Sequence, residues 1–479
     1  MMLLPADLRS WLPPDHLAWF VIDVVAAMDT SAFHVKRRLG GAGRRGYDPD
    51  MLLALLVYCY AQRERSSRRI ERLCQVDVAA RVICANLVPD HTVIARFRAE
   101  HDAAFREFFT RVLAMCAQAG MVSLGVVALD GTKVAANASR SANRDMERLR
   151  AEADRIMDEA AAVDAQEDEL FGDARGDELP EQWRERGGRL ERLRECIKDL
   201  DEQREQRVAD GGTAERVAKA QRRVADAEAA QQAKVDAYRT AAAAGRQRPG
   251  RPPQPVDDCG VVLDERRRLT AAQAAHDAAV DKAGRSASGH DLVRNPTDPD
   301  SRLMKSRDGW VQGYNAQTLA TDDQVIVAAK VVNDANDVGQ LVPMVDAAQA
   351  AAHTAGIDDP IGMVVADGGY WSEDNITAFD PRDDDGGDMP TVLVPPPRPA
   401  TEPHARKMRA TLTSEQGKAT YATRAPTIEG VFGHLKEGLA FRRFSRRGLD
   451  AADAEWQLMC AVKNLLKLHQ RAAPQVATG

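Results

Sequence analysis

The 479-residue sequence predicts an α/β fold: a mixed-sheet core, an all-helical segment before it and a long helical insertion within it. Three observations lead to this prediction. Apolar residues recur at helical spacing up to residue 122, and β-branched apolar runs typical of strands appear at 123–139 and again from 309. The stretch between them is rich in Ala, Glu, Arg, Asp and Gln and holds few large apolar residues.

Composition narrows the class of protein. The net charge is −7, so the chain as a whole is not a basic nucleic-acid binder. Its seven cysteines form no C-x-x-C pair, which argues against a disulfide framework or a thiolate zinc site and fits a reducing compartment. The first residues lack a basic region and are interrupted by prolines, and no apolar run is long enough to span a bilayer. A cytoplasmic, nucleoid-associated location is expected.

Residues 1–122 are predicted to form a helical N-terminal DNA-binding domain. Asp48 and Pro49 are typical of a helix start, Pro89-Asp90 marks another, and Gly120 is a helix end signal. Clustered arginines on short helices favour a DNA-reading module of helix-turn-helix type. A purely structural helical bundle with a solvated charged face is the alternative.

The core elements can be assigned in order along the chain. A strand covers 123–139, and a hairpin of strands 309–320 and 324–333 turns at Asp322-Asp323. The following segments are predicted to be a helix (337–356), a strand ("IGMVVADGG"), a short helix capped by Ser372, a strand (391–397), a loop (396–426) and two helices (427–441 and 450–470). Without the insertion the order is β-β-β-α-β-α-β-α-α, which is the order of an RNase H-like sheet.

The insertion lies between the first and second core strands. Leu149, Ile156, Val163 and Leu170 recur every seven residues, and Leu190, Leu193, Ile197 and Leu200 follow a 3-4-3 spacing. This predicts a long helical hairpin of coiled-coil type, with glycines at 187–188 and 211–212 as interruptions and a proline-rich loop at 244–258. The predicted division is 1–122, 123–144 (first part of the core), 145–300 (insertion) and 301–479 (remainder of the core).

Three acidic residues are candidates for catalysis. Asp130 interrupts the first strand, Asp367 ends the fourth, and Glu429 lies on a helix expected to pack on the same sheet. In an RNase H-like sheet strands one and four are neighbours, so the two aspartates are expected to converge. Glu429 and Lys436 are two turns apart at one edge of that helix's apolar stripe, on its predicted cleft side. The alternative is that strand-end aspartates and helix-surface ion pairs have no catalytic role.

Convergent carboxylates are the ligands that Mg²⁺ or Mn²⁺ prefers, and two such ions support in-line phosphoryl displacement. The glycines after Asp130 and Asp367 are expected to let cation and substrate approach closely. Between 396 and 447 eleven basic residues outnumber four acidic ones, most densely in "FRRFSRRG", which holds Arg442, Arg443, Arg446 and Arg447. A basic segment beside an acidic centre suits a DNA phosphodiester.

Several motifs resemble bacterial insertion-sequence transposases with a DDE catalytic core. They are "ALDGTKVAANAS", "DPDSRLMKSRDGWVQGYNAQ", "VADGGYWSEDNI" and the stretch from "IEGVFGHLKEGLAF" to "AVKNLLKL", in the family's order. "YDPDMLLALLVYCYAQRERSSRRIERL" and "VPDHTVIARFRAEH" resemble the helical N-terminal domain of one group of these proteins.

The resemblance implies that Asp130, Asp367 and Glu429 are the catalytic, metal-binding triad, with Mg²⁺ or Mn²⁺ as cofactor and two ions expected in the site. The signature Y-x2-R-x3-E-x6-K falls on Tyr421, Arg424, Glu429 and Lys436, except that four residues, rather than three, separate Arg424 from Glu429. It also implies DNA as partner, both transposon ends and target, and a homodimer or larger synaptic complex. The residues predicted to contact DNA are Tyr421, Arg424, Lys436, Arg442, Arg443, Arg446 and Arg447 in the core, and Arg68, Arg69, Arg96 and Arg98 in the N-terminal helices.

Two other functions remain open at this point. One is a DNA-binding protein derived from a transposase that no longer cuts DNA. The other is a nuclease of the same fold that cleaves without joining ends.

Overall fold

A computed structural model describes residues 7–35, 46–171, 181–244, 251–286, 289–306, 309–380 and 389–472, with side chains between 160 and 187 left undescribed. The chain forms two compact units. The first combines residues 1–140 with 300–479, and the second comprises residues 141–299. No helix in the described ranges is both long enough and apolar enough to cross a membrane.

The N-terminal part of the first unit is helical, as predicted. Its helices are α1 (Leu17–Ala27), α2 (Ser31–His34), α3 (Pro49–Ala61), α4 (Ser67–Val76), α5 (Val78–Ile83), α6 (His91–Glu100) and α7 (Asp102–Gln118). Helix α3 is buried over most of its length and forms the centre of this part.

The predicted helix boundaries follow from capping chemistry. The Asp48 side chain accepts a hydrogen bond from the Asp50 amide at the start of α3, with Pro49 in the first turn. Asp90 caps α6 in the same way, and Gly120 takes a positive φ of 66° just after α7. These predictions are confirmed. The helical stretch after Asp90 is divided into two helices at His101.

Six strands form one mixed sheet. They are β1 (Val126–Ala135), β2 (Arg302–Ser306), β3 (Gly309–Thr321), β4 (Ile326–Val332), β5 (Met363–Ala366) and β6 (Thr391–Leu393). The order is β2-β3-β1-β5-β6, and β4 pairs with the second half of β3. The antiparallel meander β1-β3-β4 and the parallel set β1-β5-β6 are consistent with the predicted RNase H-like fold. Strand β2 was not predicted, because it is only five residues long, most of them polar, and lies among turn-forming residues.

The helices of the core are α12 (Leu341–Thr354), α13 (Glu373–Thr377), α14 (Pro403–Thr413), α15 (Glu415–Ala422), α16 (Arg424–Gly433) and α17 (Leu449–Ala472). A π-helical turn, His434–Gly438, continues α16. Helix α17 packs against both α7 and β4, so it joins the N-terminal helices to the sheet.

The prediction of a loop over 396–426 is wrong, since α14 and α15 occupy most of it. Pro403 stands in the first turn of α14, where its missing N–H costs nothing, and Ser414 caps α15 through the Gly417 amide. Both helices are short and mostly polar, so the apolar periodicity that reveals longer helices is weak here.

The second unit contains α8 (Met146–Phe171), α9 (Glu181–Asp210), α10 (Thr213–Ala243) and α11 (Gly260–Ala283). Leu149 and Ile156 pack with Leu193, Cys196 and Leu200 in a small apolar core.

The insertion thus has four helices instead of one hairpin. Helix α9 runs through the glycines at 187–188, whereas Gly212, at φ 58°, does separate α9 from α10. Side chains of Val163 and Leu170, and residues 245–250 of the predicted loop, lie outside the described part.

Candidate active site

Two of the three predicted acids lie at the ends of adjacent parallel strands. Strands β1 and β5 pair in register from Val126 with Met363 to Leu129 with Ala366. The next residue on each strand is an aspartate, Asp130 on β1 and Asp367 after β5. The sheet therefore brings the two aspartates to the same level on neighbouring strands, as the sequence predicted.

Both aspartates are held by nearby backbone amides. The Gly131 amide donates to Asp130 Oδ1 at 2.7 Å, and the Gly369 amide donates to Asp367 Oδ1 at 2.8 Å, where Asp367 caps a single 3₁₀ turn. Arg424, the first residue of α16, donates from its terminal nitrogen to Asp130 Oδ2 at 3.0 Å. These contacts fix the orientation of the carboxylates.

Burial and the neighbouring carboxylate both make Asp130 harder to ionise. Burial, and next the charge of Asp367, raise the pKa of Asp130 to about 6 although Arg424 opposes the rise. A carboxylate is made harder to ionise when another carboxylate lies close by without full compensation. A cation bound between the two would relieve that repulsion.

Glu429 lies on α16, which packs on β1 and β3, but its side chain is exposed. Within the described residues it makes no hydrogen bond or ion pair. The carboxylate oxygens of Asp130, Asp367 and Glu429 are not all within 4.8 Å of one another. The structure therefore places the two aspartates side by side, with Glu429 exposed on the helix that packs on the same strand as Asp130.

Lys436 contacts the same strand as Arg424. Its ammonium donates a hydrogen bond to Thr132 Oγ1. Thr132 is two residues from Asp130 on β1, so the two side chains lie on one face of the sheet. Arg424 and Lys436 thus contact β1 at two neighbouring positions, and Glu429 lies between them along the helix.

The predicted role of the glycine after Asp130 is wrong. A Cβ at Gly131 would lie 2.3 Å from Gln317 Nε2 and 2.7 Å from Asp337 Oδ1. The missing side chain makes room for the chain's own polar groups, not for a cation or substrate.

These polar groups form a network that was not predicted. Asp337 Oδ1 accepts hydrogen bonds from Asn315 at 2.6 Å and Gln317 at 2.7 Å, and it lies 3.5 Å from the Lys133 ammonium. The Tyr370 hydroxyl donates to Gln317. Asn315 and Gln317 are both 0% exposed in the buried part of β3. The sequence contains one signal for this network, the amide side chains of Asn315 and Gln317 in "YNAQT". Amides buried in a strand require hydrogen-bond partners. Because the Tyr370 hydroxyl is bonded within this buried network, Tyr370 has a packing role.

The basic segment Arg442–Arg447 is divided between free and paired side chains. Arg443 is exposed, Arg442 pairs with Glu437 at the surface, and Arg447 donates to the Asn137 carbonyl at 3.1 Å. Arg446 is different, because both of its terminal nitrogens bind the Asp102 carboxylate. Three of the four arginines are accessible to a partner, and Arg446 is held inside the fold.

In the N-terminal helices Arg68, Arg69 and Arg96 are exposed. Arg98 is only 9% exposed and does not face a partner, which corrects the prediction for this residue. Its guanidinium donates to the Tyr60 hydroxyl, the Arg65 carbonyl and the Ser67 hydroxyl. Sequence clustering alone could not distinguish this buried arginine from its exposed neighbours.

The strand order and the paired aspartates are consistent with an RNase H-like α/β fold that has an acidic pair at the ends of β1 and β5. Residues 396–469 match the family model of the transposase DDE domain, and residues 6–100 match that of a transposase domain, DUF772. These matches support a DDE-type insertion-sequence transposase, so the resemblance seen in the motifs is confirmed.

The DDE match contains Glu429 and the signature residues Tyr421, Arg424 and Lys436, whereas Asp130 and Asp367 lie outside both matched segments. No curated protein and no solved structure matches the chain. Transposases of this type act on DNA and are generally dependent on divalent metal ions.

Proposed function

We propose that this transposase binds the terminal inverted repeats of a bacterial insertion sequence, cleaves the DNA there and joins the freed 3′ ends to target DNA. The observation that carries the proposal is the juxtaposition of Asp130 and Asp367 at the ends of paired strands β1 and β5. A sheet holds such residues rigidly, which is what positioning a scissile phosphate requires.

The residues present fit a hard divalent cation. Asp130 and Asp367 offer oxygen donors, and burial together with the charge of Asp367 raises the pKa of Asp130, an effect that a bound cation would oppose. We assign Asp130, Asp367 and Glu429 as the ligands of Mg²⁺ or Mn²⁺, with two ions in the complete site. When bound, the ions activate the attacking oxygen and stabilise the leaving oxygen. Glu429 completes this set once DNA is bound.

The basic residues beside the acids have a separate role. Arg424 orients Asp130 through its 3.0 Å hydrogen bond, and Lys436 places an ammonium next to the same strand. Tyr421 lies near Arg424, which opposes the rise that burial causes in the pKa of its hydroxyl. These three residues contact DNA close to the cleavage point. Because a guanidinium binds phosphate as well as carboxylate, Arg424 exchanges partners when the substrate arrives.

Two exposed sets of arginines bind DNA further away. Arg68, Arg69 and Arg96 recognise the terminal repeats, and Arg442, Arg443 and Arg447 hold the phosphates that flank the cut. Binding through phosphates weakens steeply as salt rises. Pairing of two ends needs at least a dimer, and the helical insertion is the proposed interface.

A cleavage and joining assay tests this function. The substrate is a duplex carrying the inverted repeat that brackets the gene, incubated with target DNA and Mg²⁺. The proposal predicts cuts at the repeat boundary and covalent joining of the 3′ ends to target. Cleavage without joining would instead support a nuclease, and repeat binding without cleavage would support a silent DNA-binding protein.

A further inference from the structure

Arg65 lies in the connection between α3 and α4 and reaches the chain that follows α16. Its two terminal nitrogens donate hydrogen bonds to the carbonyl oxygens of Leu439 at 3.1 Å and Ala440 at 2.9 Å. Its guanidinium also lies over the Phe441 ring, 5.0 Å from the ring centroid. One side chain from the N-terminal helices therefore holds three consecutive residues after the helix that carries Glu429.

The end of that helix is irregular and benefits from such a contact. After the π-helical turn, the Leu439 amide donates to the His434 carbonyl at 2.8 Å and the Phe441 amide to the Leu435 carbonyl at 2.9 Å. Ala440 between them has a φ of 53°, a left-handed conformation that glycine usually takes. Carbonyls at a helix end lack intrahelical partners and favour a cation nearby, and Arg65 supplies both the donors and the charge.

Arg65 is itself held in place. Its carbonyl accepts a hydrogen bond from the buried Arg98 at 2.8 Å, and Arg98 also donates to Ser67, the first residue of α4. The carboxylate of Glu64 accepts from the Ser66 amide at 2.8 Å. The position of Arg65 is thus fixed relative to α4, the helix whose outer face presents Arg68 and Arg69.

We propose that Arg65 is a positioning residue for the active site, coupling the position of α4 to the position of α16 and hence of Glu429 and Lys436. The inference rests on the proposed function, in which α4 binds the transposon end. Glu429 lies exposed on α16, which packs on β1 and β3, so the position of α16 sets the position of Glu429 relative to Asp130. Through the Arg65 contact, a change in the position of α4 on DNA binding is passed directly to α16.

Arg65→Gln tests the coupling, with Arg106→Gln as matched control. Arg106 also joins the N-terminal helices to the C-terminal part, through Asp453 at 3.0 Å and the Asp450 carbonyl at 3.2 Å, but it contacts α17 instead of α16. Both changes remove a guanidinium that bridges the same two parts of the chain. Only the first is expected to affect the metal requirement of cleavage.

The measurements are thermal unfolding, affinity for a repeat-bearing duplex in Ca²⁺, and single-turnover cleavage across a Mg²⁺ titration. Arg65→Gln is expected to bind DNA within about twofold of wild type, to cleave at least about tenfold more slowly at low Mg²⁺, and to need more Mg²⁺ for half-maximal cleavage. Arg106→Gln is expected to lower the melting temperature and leave the Mg²⁺ midpoint unchanged. Equal midpoints for wild type and Arg65→Gln, or equal shifts in both variants, would overturn the proposal.

Hydrogen exchange provides a readout that does not depend on cleavage. In wild type, DNA binding is expected to slow exchange of the amides from 434 to 441, and in Arg65→Gln this slowing is expected to disappear while α17 is unaffected. If wild type never cleaves, the proposed function fails, and the exchange result still decides the role of Arg65.

Discussion

At the scale of single residues, burial separates charges that bind a partner from charges that build the fold. Arg98 and Arg68 lie in the same part of the chain, yet the first is enclosed by three acceptors and the second faces solvent. Leaving a buried guanidinium without hydrogen bonds costs folding free energy, and leaving its acceptors without a donor costs a similar amount. The same contrast distinguishes Arg446 from Arg443.

Arg98→Met is expected to destabilise the protein strongly, by roughly 2–4 kcal/mol, because Tyr60, Arg65 and Ser67 lose a shared donor. The paired change Arg68→Gln with Arg69→Gln should leave the melting temperature unchanged and reduce both the DNA affinity and its salt dependence. Thermal unfolding and DNA titrations at several salt concentrations measure these effects. A double variant that binds DNA as well as wild type would contradict the assignment of α4.

Lys463 is a second buried charge, and it makes stability depend on pH. It lies on α17 at 2% exposure, and its ammonium makes no hydrogen bond within the described residues. Burial first, and then the positive charge of Lys467, lower its pKa to about 7, while Cys460 and Cys116 oppose this. His434, whose pKa burial also lowers, lies close enough to be affected by Lys463.

The unfolded chain binds a proton at Lys463 up to its ordinary pKa of about 10.4, whereas the folded chain releases it near 7. Between these values the unfolded state binds more protons, so the contribution of Lys463 to stability rises with pH and is most unfavourable below 7. Lys463→Met is expected to raise the free energy of unfolding at pH 7 and to flatten its rise between pH 7 and 10. Urea unfolding of both proteins over this range measures the difference, and identical slopes would contradict it.

At the scale of elements, α17 does more than cover the sheet. Among the described residues strand β4 pairs only with β3, and side chains of α17 satisfy part of its other edge. The Asn464 side chain accepts from the Ile326 amide at 3.0 Å and donates to the Ile326 carbonyl at 2.8 Å. Asp453 accepts from the Val331 amide at 2.9 Å. An edge satisfied in this way is protected from pairing with another chain.

Asn464→Leu is expected to destabilise the protein by roughly 2–3 kcal/mol, because it leaves a buried amide and a buried carbonyl of Ile326 without partners. Gln457→Leu is the matched control on the same helix, since its amide binds only the Asp453 side chain, at 3.0 Å. Chemical unfolding measures both. Similar losses of stability in the two variants would show that the contact with β4 has no special weight.

The elements also show what sequence patterns can predict. Local chemistry predicted the caps at Asp48, Asp90 and Ser372, and the strand runs gave the parallel pair that places Asp130 beside Asp367. Short polar elements such as β2, α14 and α15 were missed, because they owe their structure to neighbours instead of to periodicity. The Asp337 network was missed for the same reason, since its members are brought together only by the fold.

At the scale of the whole molecule, the chain forms one unit that contains the sheet and a second unit made of the helical insertion. An antiparallel backbone pair between Arg144 and Arg294 joins the two ends of that insertion, with both N···O distances 2.9 Å. Its first two helices, α8 and α9, bury a small apolar core of their own. Such an arrangement suits a separate role, which we propose to be the pairing of two transposon ends.

A variant lacking residues 145–285, closed by a short flexible linker, is expected to fold and to bind a single repeat-bearing duplex normally. It is expected to lose the complex that contains two duplexes, because the proposed interface is absent. Light scattering of protein–DNA complexes counts the duplexes. If the variant still pairs two ends, the insertion is not the interface that pairs them.

The proposed function depends on the acidic pair of Asp130 and Asp367, and DNA cleavage by variants of these residues tests it. Mg²⁺-dependent cleavage of a repeat-bearing duplex is compared for wild type, Asp367→Asn, Asp130→Asn and the control Asp323→Asn, whose carboxylate is exposed in the turn after β3. Asp367→Asn and Asp130→Asn are expected to bind the duplex but to cleave it at least about 10³-fold more slowly than wild type, while Asp323→Asn cleaves like wild type. Equal cleavage by wild type and Asp367→Asn would contradict the proposed function.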